Sequence, residues 1–216
     1  MKITDLLLEL FYPSRCAFCG RLVKSGEGMC RDCGGKLPYT GAVNAVQYFP
    51  GVSRCVSPLY YEGAVREALL RYKFGGAASY SRVFGKIMAK CIDEMQFSCD
   101  IITWIPLSGR RLRKRGYNQA QLLAERAAAE LSLPCVPMLV KLRNNPAQSG
   151  IDDYKQRRRN VAGVYDVREP MLPEGKHILL VDDIVTTGAT LSEAASVLRK
   201  AGAAEVTALT AARRRD

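Results

Sequence analysis

The 216-residue sequence holds a single histidine, and none of its apolar runs approaches the roughly 18–20 residues that a membrane-spanning helix needs. It has no internal repeat and no low-complexity segment, which sets aside repeat architectures and disordered linkers. The stretch over 3–11 is apolar but carries Asp5 and Glu9, with only Lys2 ahead of it. It has neither the uninterrupted apolar core nor the small-residue cleavage site of a secretory signal, and is read as an amphipathic helix of a cytoplasmic protein. The lone histidine, His177, opens an apolar strand far from the clustered cysteines and is read as structural. Apolar residues make up 48% and charged residues 25%, the balance of a globular chain rather than a disordered one. The length suits one α/β domain with a small appendage.

What is present in excess is positive charge, +11 in all, and it is concentrated. One cluster is Arg110, Arg111, Arg113, Lys114 and Arg115; a second is Lys155, Arg157, Arg158 and Arg159; a third is Arg213, Arg214 and Arg215. Together they hold twelve positive charges, more than the whole excess, so the rest of the chain is close to neutral. Such clusters are either local anion-binding surfaces or solvated loops that keep the protein soluble, and for the tail cluster the solvated reading is favoured.

Four of the eight cysteines form two C-x-x-C knuckles, Cys16-Ala-Phe-Cys19 and Cys30-Arg-Asp-Cys33, with ten residues between them. Each knuckle lets two thiolates bind one tetrahedral ion, and Zn²⁺ is the usual occupant of a four-sulfur site. Such a closed site is structural, with no open position for catalysis. A redox dithiol or a chance pairing is the alternative. Cys55, Cys91, Cys99 and Cys135 lie among apolar neighbours, as buried free thiols do.

Behind the knuckles, strands and helices alternate. Strands are predicted over 55–61, 101–107, 136–142, 161–167, 177–182 and 206–209, and helices over 65–74, 79–95, 117–131 and 189–201. This order implies an α/β domain with a parallel sheet flanked by helices. The predicted organisation is an amphipathic helix and zinc-ribbon segment over 1–40, a linker over 41–54 and the α/β domain over 55–216. The polar stretch 144–160 is too long to be a mere connector.

The most specific segment is Ile178-Leu-Leu-Val-Asp-Asp-Ile-Val-Thr-Thr-Gly-Ala-Thr190. An apolar strand ends in adjacent carboxylates, Asp182 and Asp183, and Thr186, Thr187, Gly188, Ala189 and Thr190 then open a helix. Helix N-termini suit phosphate, Gly188 allows close backbone approach, and threonine hydroxyls add donors. The lysine of a Walker A loop is missing, and carboxylates stand where sugar hydroxyls would need acceptors. The residues alone point to a ribose 5-phosphate site.

This segment resembles the fingerprint of the type I phosphoribosyltransferases. The resemblance implies that Asp182 and Asp183 contact the ribose 2- and 3-hydroxyls and that Thr186 to Thr190 wrap the 5-phosphate of phosphoribosyl pyrophosphate (PRPP). It also places pyrophosphate at the loop over 106–111, with Arg110 and Arg111 as ligands, and Mg²⁺ on substrate oxygens and water. The stretch 144–160 becomes a lid whose arginines meet pyrophosphate. Trp104-Ile-Pro-Leu, Arg110-Arg-Leu-Arg-Lys-Arg-Gly-Tyr-Asn-Gln-Ala120, Gln148-Ser-Gly and Arg157-Arg-Arg-Asn160, together with the knuckles, are similar to the ComF family. Members of that family are linked to natural competence, the uptake of single-stranded DNA. The resemblance implies a PRPP-binding protein in DNA uptake whose transferase acceptor no motif names. The alternatives are a single-stranded DNA-binding accessory and a PRPP-sensing regulator, with Arg113, Lys114, Arg115, Lys155, Arg157, Arg158 and Arg159 as nucleic-acid or lid contacts. Tyr72, Phe74 and Tyr117 are the aromatics available to stack bases. One departure is that relatives often carry a second cysteine pair after the ribbon, where this chain has only Cys55.

Overall fold

The computed structural model describes residues 13–143, 163–168 and 173–215. The predicted amphipathic helix over 3–11, the candidate lid over 144–160 and its Lys155, Arg157, Arg158 and Arg159 lie outside them.

The strands are β1 (Val46–Phe49), β2 (Val52–Val56), β3 (Leu59–Tyr60), β4 (Ile101–Trp104), β5 (Leu139–Lys141), β6 (Tyr165–Val167), β7 (His177–Val185) and β8 (Glu205–Arg213). The main helices are α1 (Gly63–Phe74), α2 (Ser81–Glu94), α3 (Gly109–Arg115), α4 (Gln119–Leu131) and α5 (Ala189–Lys200). The main sheet runs β1-β2-β8-β7-β4, and β3 pairs with β8 beyond the end of β2. All its pairings are parallel except β1 with β2, an antiparallel edge hairpin. A separate antiparallel pair, β5 and β6, lies off the sheet.

The period-two side-chain alternation of β7 divides the core. Leu179 and Val181 face α1, α2 and α4, packing with Leu69, Phe84, Met88 and Leu123. Ile178 and Leu180 face α5, packing with Leu191, Ala194 and Leu198 and with Leu139 and Tyr165 of the small sheet. Helices on both faces cover the strands, so β7 and β8 are buried almost throughout, as the central strands of a parallel sheet are. Helices α2 and α4 approach closely at Gly85, where an added Cβ would collide with Cβ of Arg126.

Two elements differ from the sequence reading. The span 41–54, predicted as a linker, contains β1 and most of β2, joined by Pro50-Gly51 with Gly51 at φ +77°. Proline followed by a left-handed glycine is type II turn chemistry, and it was the available sign of a hairpin. The first basic cluster forms helix α3, closed by left-handed Gly116.

The ribbon is part of the same core. Phe18 meets Phe84 of α2 edge-on, ring centroids 5.6 Å apart, and Cys16, Ala17 and Leu37 join the cluster around Leu69. Arg71 Nη2 of α1 donates to Ala17 O at 2.9 Å. Among the described residues no helix is long and apolar enough to cross a membrane.

Candidate functional site

Strand β7 delivers Asp182 and Asp183 to the carboxyl end of the sheet, where ligands bind in parallel α/β folds. The turn that follows ends at Gly188, which caps α5 with φ +70°. Phe49 of β1 lies against this glycine so closely that a Cβ would overlap its ring. The junction opens on a cavity of about 310 Å³, lined by both aspartates and by every residue from Thr186 to Thr190. The first turn of α5 therefore presents its unpaired N–H groups to the cavity, together with the threonine hydroxyls.

Other elements bring cations. Lys73 comes from α1, Arg111 and Arg115 from α3, Lys141 from the end of β5, and Arg214 follows β8. Lys73 Nζ lies 2.9 Å from Asp183 Oδ1. Lys141 Nζ sits over the Tyr165 ring, 5.3 Å from its centroid. Ile105, Pro106 and Leu107 after β4 form another wall. That loop is held by Asn118, whose Oδ1 caps α4 by accepting from Ala120 N and Gln121 N while its Nδ2 donates to Ile105 O at 3.0 Å.

This crowding of charge shifts the titrations. Burial, and then the charge of Asp183, push the Asp182 carboxyl up to about 7, against the pull of Lys73 and Lys141. Burial and the neighbouring Arg111 bring Lys141 down to about 8. Burial and Arg115 lower Arg111, and burial raises Tyr165. Five cations against two carboxylates make a cavity suited to a polyanion.

The structure thus brings together Asp182, Asp183, Thr186, Thr187, Gly188, Ala189, Thr190 and Arg111. Arg110 is exposed and outside the cavity lining, whereas Arg115 is inside it. Arg113 and Lys114 are exposed. The tail cluster is not simply solvated. Arg213 is buried and its Nη1 donates to Asn44 O at 2.9 Å, Arg214 lines the cavity, and Arg215 pairs with Glu62 through two contacts of 2.8 Å. Tyr72 cannot stack a base, being fully buried with its hydroxyl donating to Gln119 O at 2.8 Å. Tyr117 packs against it and donates to Tyr72 O, which leaves Phe74, 67% exposed at the cavity mouth. Lys73, Lys141 and Tyr165 escaped the sequence reading because each is a single residue with no motif, placed only by packing.

The second candidate centre is the ribbon. Sγ atoms of Cys16, Cys19, Cys30 and Cys33 all lie within 4.8 Å of one another, with Cys19 and Cys30 3.7 Å apart. Tetrahedral zinc with Zn–S bonds of about 2.3 Å requires sulfurs about 3.8 Å apart, so the cluster fits the ion. Cys55 is buried in β2, its thiol pushed up to about 12 by burial, and it is no part of the cluster. Cys91, Cys99 and Cys135 are only half-buried.

Adjacent carboxylates and a phosphate-binding turn at one strand–helix junction mark the type I phosphoribosyltransferase fold, and residues 118–216 match the family described as Phosphoribosyl transferase domain. Residues 7–43 match Double zinc ribbon domain, and their four cysteines make up one four-sulfur site. The chain is 34% identical over 200 residues to Competence protein ComFC of Bacillus subtilis, covering 90% of this chain and 76% of that protein. It is 29% identical over 202 residues to Competence protein F of Haemophilus influenzae, covering 88% and 86%. It is also 27% identical over 209 residues to DNA utilization protein YhgH of Escherichia coli, covering 92% and 90%. The chain belongs to the ComF family.

Proposed function

We propose that the chain binds PRPP with Mg²⁺ and does so in the service of DNA uptake. The observation that carries the ligand is the meeting, in one cation-rich cavity, of two adjacent carboxylates with the phosphate turn of α5. The carboxylates accept from the ribose 2- and 3-hydroxyls, the turn holds the 5-phosphate, and Arg111 and Lys141 offer positive charge to pyrophosphate. Mg²⁺ would enter with the ligand's pyrophosphate and add neutralising charge beside Arg111 and Lys141, as suits a hard ion with oxygen ligands. In transfer chemistry the bond from ribose C1 to pyrophosphate breaks while an acceptor attacks C1. Arg111 and Lys141 then stabilise the charge left on pyrophosphate.

The test is calorimetric titration of PRPP with Mg²⁺ into the zinc-loaded chain, beside the Asp182→Asn, Asp183→Asn double variant. Binding that the variant loses is expected; a folded wild type that takes up no ligand refutes the reading. Pyrophosphate release on screening acceptors then separates a transferase from a sensor.

A second reading, direct contact with single-stranded DNA, is favoured by one observation. Arg110, Arg113 and Lys114 are all exposed, and their i, i+3, i+4 spacing sets them on one face of α3. Relatives named for competence and DNA utilization supply the context.

A further inference from the structure

Lys73 belongs to no motif, yet it touches the centre of the site. Its Nζ is 2.9 Å from Asp183 Oδ1, with the two side chains only 19% and 11% exposed. Asp183 N in turn donates to Asp182 Oδ1 at 2.8 Å. One oxygen of each carboxylate is therefore already engaged by the protein.

The helix carrying Lys73 is firmly held. Two residues before it, Arg71 is bonded to Ala17 O of the first zinc knuckle, and Tyr72 is bonded to Gln119 O at the start of α4. The reach of Lys73 into the cavity is fixed from both sides, unlike that of a surface lysine on a mobile stem. Two ionised carboxylates on consecutive residues repel each other, and the more so away from water. An ammonium in contact with one of them relieves that repulsion.

We propose that Lys73 is a positioning residue of the ligand site: from α1 it fixes the Asp183 carboxylate and balances its charge, so that both carboxylates can face one ribose diol. This role rests on the PRPP reading above. It differs from direct phosphate binding, because the ammonium is committed to Asp183. Asp182 is also faced by Lys141 of β5, Tyr165 of β6 and Cys55 of β2, and the cavity adds Arg111 and Arg115 of α3 and Arg214 after β8. Those groups remain when Lys73 is changed, so a change at Lys73 isolates its own contribution.

The experiment is titration of Mg²⁺ and PRPP between pH 5.5 and 8.5 into wild type, Lys73→Gln and Lys73→Arg, each checked for melting temperature and zinc content. Wild-type affinity is expected to rise as Asp182 ionises. In Lys73→Gln the midpoint of that rise moves up by about one pH unit, leaving binding about tenfold weaker near pH 6.5. Lys73→Arg restores the wild-type midpoint. A folded Lys73→Gln variant with the wild-type curve, or with binding weakened equally at every pH, overturns the proposal while leaving the ligand reading intact. Absence of binding by wild type at every pH overturns the ligand reading and this role with it. Should Lys73→Gln fail to fold, the Lys73→Gln, Asp183→Asn double variant decides. Recovery of the fold shows that charge pairing was what was lost, and a double variant that also fails to fold shows that Lys73 serves packing instead.

Discussion

Asp182 is held in the protein at a cost that its pH behaviour should expose. Its carboxyl titrates at about 7 in the fold, against about 3.9 in an unfolded chain. The folded state therefore binds this proton more tightly than the unfolded state does. Sign and window follow: the penalty is absent below the unfolded value, grows as pH rises from about 4 to 7, and is constant above that. Asp182→Asn should accordingly stabilise the fold by about 1–3 kcal/mol at pH 8 and leave it nearly unchanged at pH 4, while removing ligand binding. Thermal melts at the two pH values check this; equal effects at both would show that Asp182 carries no ionisation penalty. Gly188 is constrained in a different way. Its positive φ and the ring of Phe49 leave no room for a side chain. Gly188→Ala should cost about 1–2 kcal/mol from the backbone alone, and more from displacing Phe49. Ligand titration of that variant should show binding lost with the turn.

At the scale of elements, the ribbon and the α/β domain share one core, so the metal should stabilise both. Phe18, inside the first zinc knuckle, packs against Phe84 of α2 and is almost fully buried. Phe18→Ala is expected to destabilise the protein by about 3–5 kcal/mol, the usual cost of deleting a buried phenyl ring. A chelator strong enough to strip the four cysteines should release about one zinc per chain and lower the melting temperature of the whole transition. If the α/β domain melts at the same temperature with and without zinc, the ribbon is an independent appendage. The β1–β2 hairpin shows how an element can escape a sequence reading. Pro50-Gly51 signals a turn, but strands of four and five residues with mixed polarity do not declare a sheet edge until β8 is beside them. Helix α3 was hidden differently, because an arginine-rich run has no apolar stripe to reveal its period.

For the whole molecule, the distribution of charge sets the expectation. Arg115 turns into the cavity, while Arg113 and Lys114 stay outside on α3. If that outer face meets single-stranded DNA, affinity should fall steeply with salt. The double charge reversal Arg113→Glu, Lys114→Glu should then reduce the slope of log affinity against log salt by roughly 1–2, at about 0.7 per phosphate contact, and leave PRPP binding unchanged. Filter binding of a labelled oligonucleotide over a salt series checks it, and a slope untouched by the reversal would move the contact elsewhere. The sequence by itself determined what depends on neighbours along the chain. The strand, carboxylate pair and turn over 178–190 are contiguous, and each knuckle puts two thiolates within one turn, so both centres could be read from spacing alone. Only the tertiary structure decided what depends on distance through space. Lys73 reaches Asp183 across 110 positions of sequence, Phe49 seals Gly188 from another strand, and Arg214 arrives at the cavity because β8 lies beside β7. None of these residues differs in type from a solvated neighbour. Their roles come from the packing of the sheet and helices, which brings distant charges together and excludes the water that would otherwise screen them.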